Sequence, residues 1–94
     1  MATKQWKTTK LKALAKTMLE IKDEKKMLKF LRDLCTLEEL EEISNRWYIV
    51  RLLHKKMSYR EIAKKTGVST TTVTRIAHWL HHGEGGYEKA LRSK

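Results

Sequence analysis

The chain has 94 residues, room for one domain with a small core, and its single cysteine excludes an intrachain disulfide. It lacks proline, has only four glycines and is rich in Lys, Leu, Glu and Ala, a composition that favours helix over strand. A net charge of +10 and a pI near 9.9 point to a polyanionic partner, whether nucleic acid, an anionic membrane or an acidic protein.

The basic opening stretch from Met1 to Lys10 is not followed by an apolar core of the signal-peptide kind. No apolar run approaches the roughly 20 residues that a membrane span needs. With one unpaired cysteine, a cytoplasmic chain without membrane partners is the expectation.

The predicted elements are all helices. The first runs from about Trp6 to Ile21, with Leu11, Leu14, Ala15, Met18 and Leu19 on one apolar stripe. Asp23 can cap a second, whose apolar positions are Met27, Leu28, Phe30, Leu31 and Leu34. Cys35 has no Cys or His near it at metal-ligand spacing and reads as a small buried hydrophobe. Thr36 and Glu39 have the form of a capping box opening a third helix, which continues to about His54. The cluster Glu38, Glu39, Glu41 and Glu42 then falls near the positive end of that helix dipole, an ordinary structural place for acids. Ser58 and Glu61 repeat the capping box before a helix from about Tyr59 to Lys65. Ser69 caps the next, from about Thr70 to His82, which Gly83, Gly85 and Gly86 break. A short last helix spans Tyr87 to about Leu91. The apolar stripes of the first three helices, with Trp6, Trp47, Met18, Met27 and Phe30, exceed what a small monomer covers easily, which argues for a dimer.

The stretch from Met57 to Trp79 has the pattern of a helix-turn-helix. Ala63 is small where two helices must cross closely. Gly67 stands where the turn needs a positive φ. Ile62, Val68, Val73 and Ile76 supply the apolar contact between the helices. The outward positions of the second helix are Thr70, Thr71, Thr74, Arg75 and His78, which can reach base edges and phosphates in a major groove. The free N–H groups near Ser69 and Thr70 suit a phosphate. Arg60, Lys64 and Lys65 lie where the first helix of such a motif crosses the DNA backbone. A solvated helical hairpin is the bland alternative, but Ser69 to Thr72 form a run of poor helix formers at a helix start. His78 and His82 form an i,i+4 pair that reads as a solvated helix end rather than a metal site.

Two motifs carry a resemblance. L-C-T-x-x-E-x-x-x-x-x-x-R spans Leu34 to Arg46. M-S-x-R-E, Met57 to Glu61, is followed by T-x-T-R, Thr72 to Arg75. With these, Leu34 to Trp79 resembles the Trp repressor superfamily, and within it the YerC/YecD-type Trp-repressor-like proteins. The resemblance implies an all-α fold of five or six helices, a single domain over 1–94, and an intertwined homodimer. Residues of about 6–56 would form the dimerisation core and about 57–82 the DNA-binding head. It also implies a possible tryptophan pocket, in which Thr36, Arg46 and Arg75 match ligand-holding residues. Two further positions of that pocket carry Ile76 and Trp79 in place of a glycine and a serine. Trp79 would fill the pocket itself, and Arg46 and Arg75 can equally pair with phosphate or Glu.

The expected function is therefore a dimeric, sequence-specific regulator of transcription on double-stranded DNA, acting as a repressor without a cofactor and without a tryptophan switch. The alternatives are a repressor governed by tryptophan or another small ligand, and a protein-interaction module of the same fold. No Ser-His-Asp order, paired carboxylates in an apolar setting or glycine-rich phosphate loop points to an enzyme.

Overall fold

A computed structural model describes residues 5–93; positions 1–4, where the basic opening stretch begins, and Lys94 lie outside the described residues. Within them the chain is all-α, in six helices without a strand: α1 Thr9–Glu20, α2 Glu24–Leu34, α3 Leu37–His54, α4 Tyr59–Thr66, α5 Thr70–His82 and α6 Gly86–Arg92.

Short polar side chains set most of the helix starts. Asp23 accepts from the Lys25 N–H ahead of α2. Thr36 and Glu39 close a reciprocal box, Thr36 Oγ1 accepting from the Glu39 N–H and Glu39 Oε1 from the Thr36 N–H at 2.8 Å. Ser58 with Glu61 does the same for α4.

Three expectations need correction. The first helix begins at Thr9 rather than Trp6, because the Thr8 hydroxyl accepts from the Leu11 N–H and fixes the start there; Trp6 is half exposed outside the helix. Cys35 is half-buried, not buried, since it caps the C-terminal end of α2 and its N–H donates to the Leu31 carbonyl. The last helix starts at Gly86 and extends to Arg92, one residue beyond each expected end, and α4 gains one residue at Thr66.

The chain divides into two compact units between Leu40 and Glu41. In the first, α1 and α2 bury no residue; Leu19 is 73% exposed and Leu28 58%. The second unit holds the core. Ile49, Val50 and Leu52 of α3, Ile62 of α4, and Val73, Ile76 and Leu80 of α5 are buried together. Each large aliphatic side chain there contributes about 1.5–3 kcal/mol through loss of water contact. Trp47, Leu53, Met57, Ala63, Val68, Tyr87 and Leu91 pack around this cluster. Tyr87 stacks on Trp47 with ring centroids 6.3 Å apart, which ties α6 to α3.

Candidate nucleic-acid interface

Helices α4 and α5 pack against each other across a turn of three residues, Gly67 to Ser69. Gly67 ends α4 in the left-handed region, at φ 83°, and its N–H donates to the Ala63 carbonyl at 2.8 Å. A side chain at this φ would be strained. Ala63 is half-buried against the core, while Ile62, Val73 and Ile76 from the facing sides of the two helices are buried. The apolar positions expected to join the helices are thus the ones that do so.

The opposite face of α5 is open. Thr70, Thr71, Thr74, Arg75 and His78 are all exposed, and α5 contains no acidic residue. Ser69 is exposed too, but its hydroxyl accepts from the Thr72 N–H and contacts the Thr72 hydroxyl at 3.1 Å. Thr72 is half-buried and belongs to the capping arrangement rather than to the open face. On α4, Arg60, Lys64 and Lys65 are exposed. The one acid of that helix, Glu61, is occupied by the capping box. The motif therefore presents hydroxyls, methyls and positive charge, a chemistry suited to base edges and phosphates. His78 and His82 lie on this helix with rings 4.9 Å apart. No group of three potential metal ligands forms among the described residues.

Beside the motif, α3 and α5 border a hollow of about 200 Å³ lined by Glu42, Arg46, Val68, Arg75, Ile76 and Trp79, among others. Arg46 and Arg75 thus come together in it. Arg46 donates to Glu42 at 2.8 Å and lies over the Trp79 ring, 5.2 Å from its centroid. Trp79, expected to fill the pocket that the resemblance implies, is 38% exposed and forms one wall of this hollow. Ile76, by contrast, is turned into the core and is 2% exposed. Thr36 lies in the first unit, where its hydroxyl caps α3. Pairing of Arg46 with a Glu was among the expected alternatives, and Glu42 is that partner; the Trp79 stack was not expected. The i,i+4 spacing of Glu42 and Arg46 carried a readable signal. The Arg46–Trp79 contact carried none, since the two residues sit on different helices.

The family model described as Trp repressor protein matches residues 9–94. The uncharacterized protein YerC of Bacillus subtilis is 35% identical over 81 residues, covering 86% of this chain and 78% of that protein. A Trp operon repressor homolog of Chlamydia trachomatis serovar L2 is 34% identical over 71 residues, 70% of this chain and 76% of its own length. Among solved structures, a TrpR-like protein from Eubacterium eligens superposes with a TM-score of 0.86 at 32% identity, covering 93% of this chain and 90% of that one.

Proposed function

The chain belongs to the Trp repressor protein family, a family of DNA-binding regulators rather than enzymes, and from that premise we propose that it is a dimeric, sequence-specific repressor. The observation that carries this reading is the open face of α5, where Thr70, Thr71, Thr74, Arg75 and His78 stand exposed on a helix held at its base by Gly67 and the buried Ile62, Val73 and Ile76. In this reading α5 enters the major groove, Arg60, Lys64 and Lys65 of α4 meet backbone phosphates, and the α5 N-terminus at Ser69 and Thr70 receives another phosphate. The protein acts on the nucleoid, in the cytoplasm.

A homodimer supplies two such heads for a roughly palindromic site. The exposed leucines of α1 and α2, Leu19 and Leu28 foremost, support a second copy as the cover for the first unit.

The repressor works without tryptophan in this reading. Arg46 is already engaged by Glu42 and Trp79, so a carboxylate ligand would have to displace both contacts. A tryptophan-responsive repressor is the second reading, favoured by the open hollow beside Arg46 and Arg75.

The test is selection of bound duplexes from a random pool, followed by affinity measurements across a salt range with and without free tryptophan. The expected result is enrichment of a two-part site, a steep fall of affinity with salt through counterion release, and no response to tryptophan. Affinity that ignores salt would contradict DNA binding through this basic face. Tightening by tryptophan would establish the second reading.

A further inference from the structure

The four threonines of α5 do not offer the same groups to a partner. Thr72 is half-buried and tied to Ser69. Thr70 and Thr71 make no side-chain hydrogen bond among the described residues, so their hydroxyls are free to donate and accept. Thr74 differs: it is exposed, yet its hydroxyl donates back to the Thr70 carbonyl at 2.9 Å. That bond takes the hydroxyl hydrogen and holds the side-chain oxygen against the helix backbone. A β-branched side chain so anchored is stiff at χ1: its hydroxyl can still accept but no longer donate, and its methyl is held in one place.

The position of Thr74 matters as much as its conformation. It stands four residues after Thr70 and four before His78, on one line along α5, with Arg75 beside it. It is therefore central to the exposed face, where contact with base edges is expected, and among the exposed threonines of α5 it is the one whose methyl is held by a backbone anchor. Among the base edges of the major groove one displays an apolar group, the C5-methyl of thymine. Methyl-to-methyl contact removes both groups from water and needs no hydrogen bond from Thr74.

We propose that Thr74 is a specificity-determining residue that selects a thymine in each half-site through the C5-methyl group. This rests on the reading that α5 docks in the major groove. The hydroxyls of Thr70 and Thr71 are left for polar contacts, and a cytosine or a uracil at the Thr74 position lacks the group that Thr74 recognises. A 5-methylcytosine carries the same methyl and preserves this contact.

The test uses the full chain and the duplex it selects from a random pool. Each thymine of that duplex is replaced singly by uracil, which removes only the C5-methyl. Affinities at fixed salt are measured for the native chain, Thr74→Val and Thr74→Ser. Valine keeps the methyl and loses the hydroxyl; serine does the reverse. One uracil replacement per half-site is expected to weaken the native chain by about fourfold, the worth of one buried methyl-sized group. Thr74→Val should bind the thymine duplex like the native chain and feel the same uracil loss. Thr74→Ser, which removes the methyl from both protomers, should bind it about fifteenfold more weakly and be indifferent to the replacement. Circular dichroism of both variants checks that the helices are intact. A native chain that selects a duplex but is insensitive to every uracil overturns this assignment alone. So does a Thr74→Ser variant that keeps the native affinity and the native uracil loss. Failure to select any duplex overturns the DNA-binding reading, and this assignment with it.

Discussion

The two compact units of this chain solve the burial problem differently. The second, from Glu41 onward, assembles its own core from three helices: Ile49, Val50, Ile62 and Val73 have no exposed surface at all. The first contains two well-capped amphipathic helices and buries none of its described residues, leaving Leu19, Leu28 and Leu34 about half exposed or more. Capping and helix propensity give local structure, but a helix keeps its place in a fold through the burial of its apolar face. The head is thus packed within one chain, whereas α1 and α2 have the character of half an interface. Under the proposed function such a division would separate two tasks, a packed head to present α5 and an apolar segment to pair the heads.

The comparison is broken or sharpened most strongly by truncating a leucine or isoleucine in each unit. Ile76→Ala should lower the stability of the head by about 3 kcal/mol at any protein concentration, since it opens a cavity in a core closed by this chain alone. Leu28→Ala should act only through association, so that its effect shrinks on dilution. Urea unfolding at two widely separated protein concentrations, the lower chosen to dissociate the proposed dimer, separates the cases. A concentration-independent loss for Leu28→Ala would place its side chain within a single chain's core.

A smaller effect is expected at the turn. Gly67→Ala forces an L side chain into the left-handed region and should cost about 1–2 kcal/mol. Because Gly67 sets the path from α4 into α5, DNA affinity should fall beyond what lost stability explains, as judged at temperatures where the variant remains folded. Ser58→Ala removes one half of the α4 capping box and should lower thermal stability by about 1 kcal/mol, with DNA affinity retained while the head stays folded. The smallest effect belongs to Glu42→Gln. Its ion pair with Arg46 is largely exposed on α3, so a change of only about 0.3–0.5 kcal/mol is expected, and less in high salt.

What could be read in the sequence was what is local. The bounds of α5 follow from Ser69 as a cap and Gly83 as a stop, and a Cβ at Gly83 would collide with the Trp79 carbonyl. Gly67 and the buried Ile62, Val73 and Ile76 follow from spacing on two helices whose turn is short. The start of α1 was misplaced because an apolar Trp6 invites the helix to begin early, while the Thr8 hydroxyl decides it. Contacts between helices distant in sequence left no trace in periodicity. The Trp47–Tyr87 stack, the Arg46–Trp79 contact and the hollow beside it are of this kind. Cys35 shows the same limit from the other side, since an apolar character did not say whether anything would cover it.

The central claim is that the outward face of α5 meets DNA. Thr71→Glu tests it most directly, because Thr71 is exposed on that face, makes no side-chain hydrogen bond among the described residues, and lies in the first turn of α5, where an acidic side chain is compatible with the helix dipole. Affinity for the selected duplex should fall by roughly a hundredfold or more, through a negative charge placed against phosphates, with the helical circular dichroism unchanged. Native affinity in a folded Thr71→Glu variant would contradict the account, and would place the DNA, if it binds, on another surface.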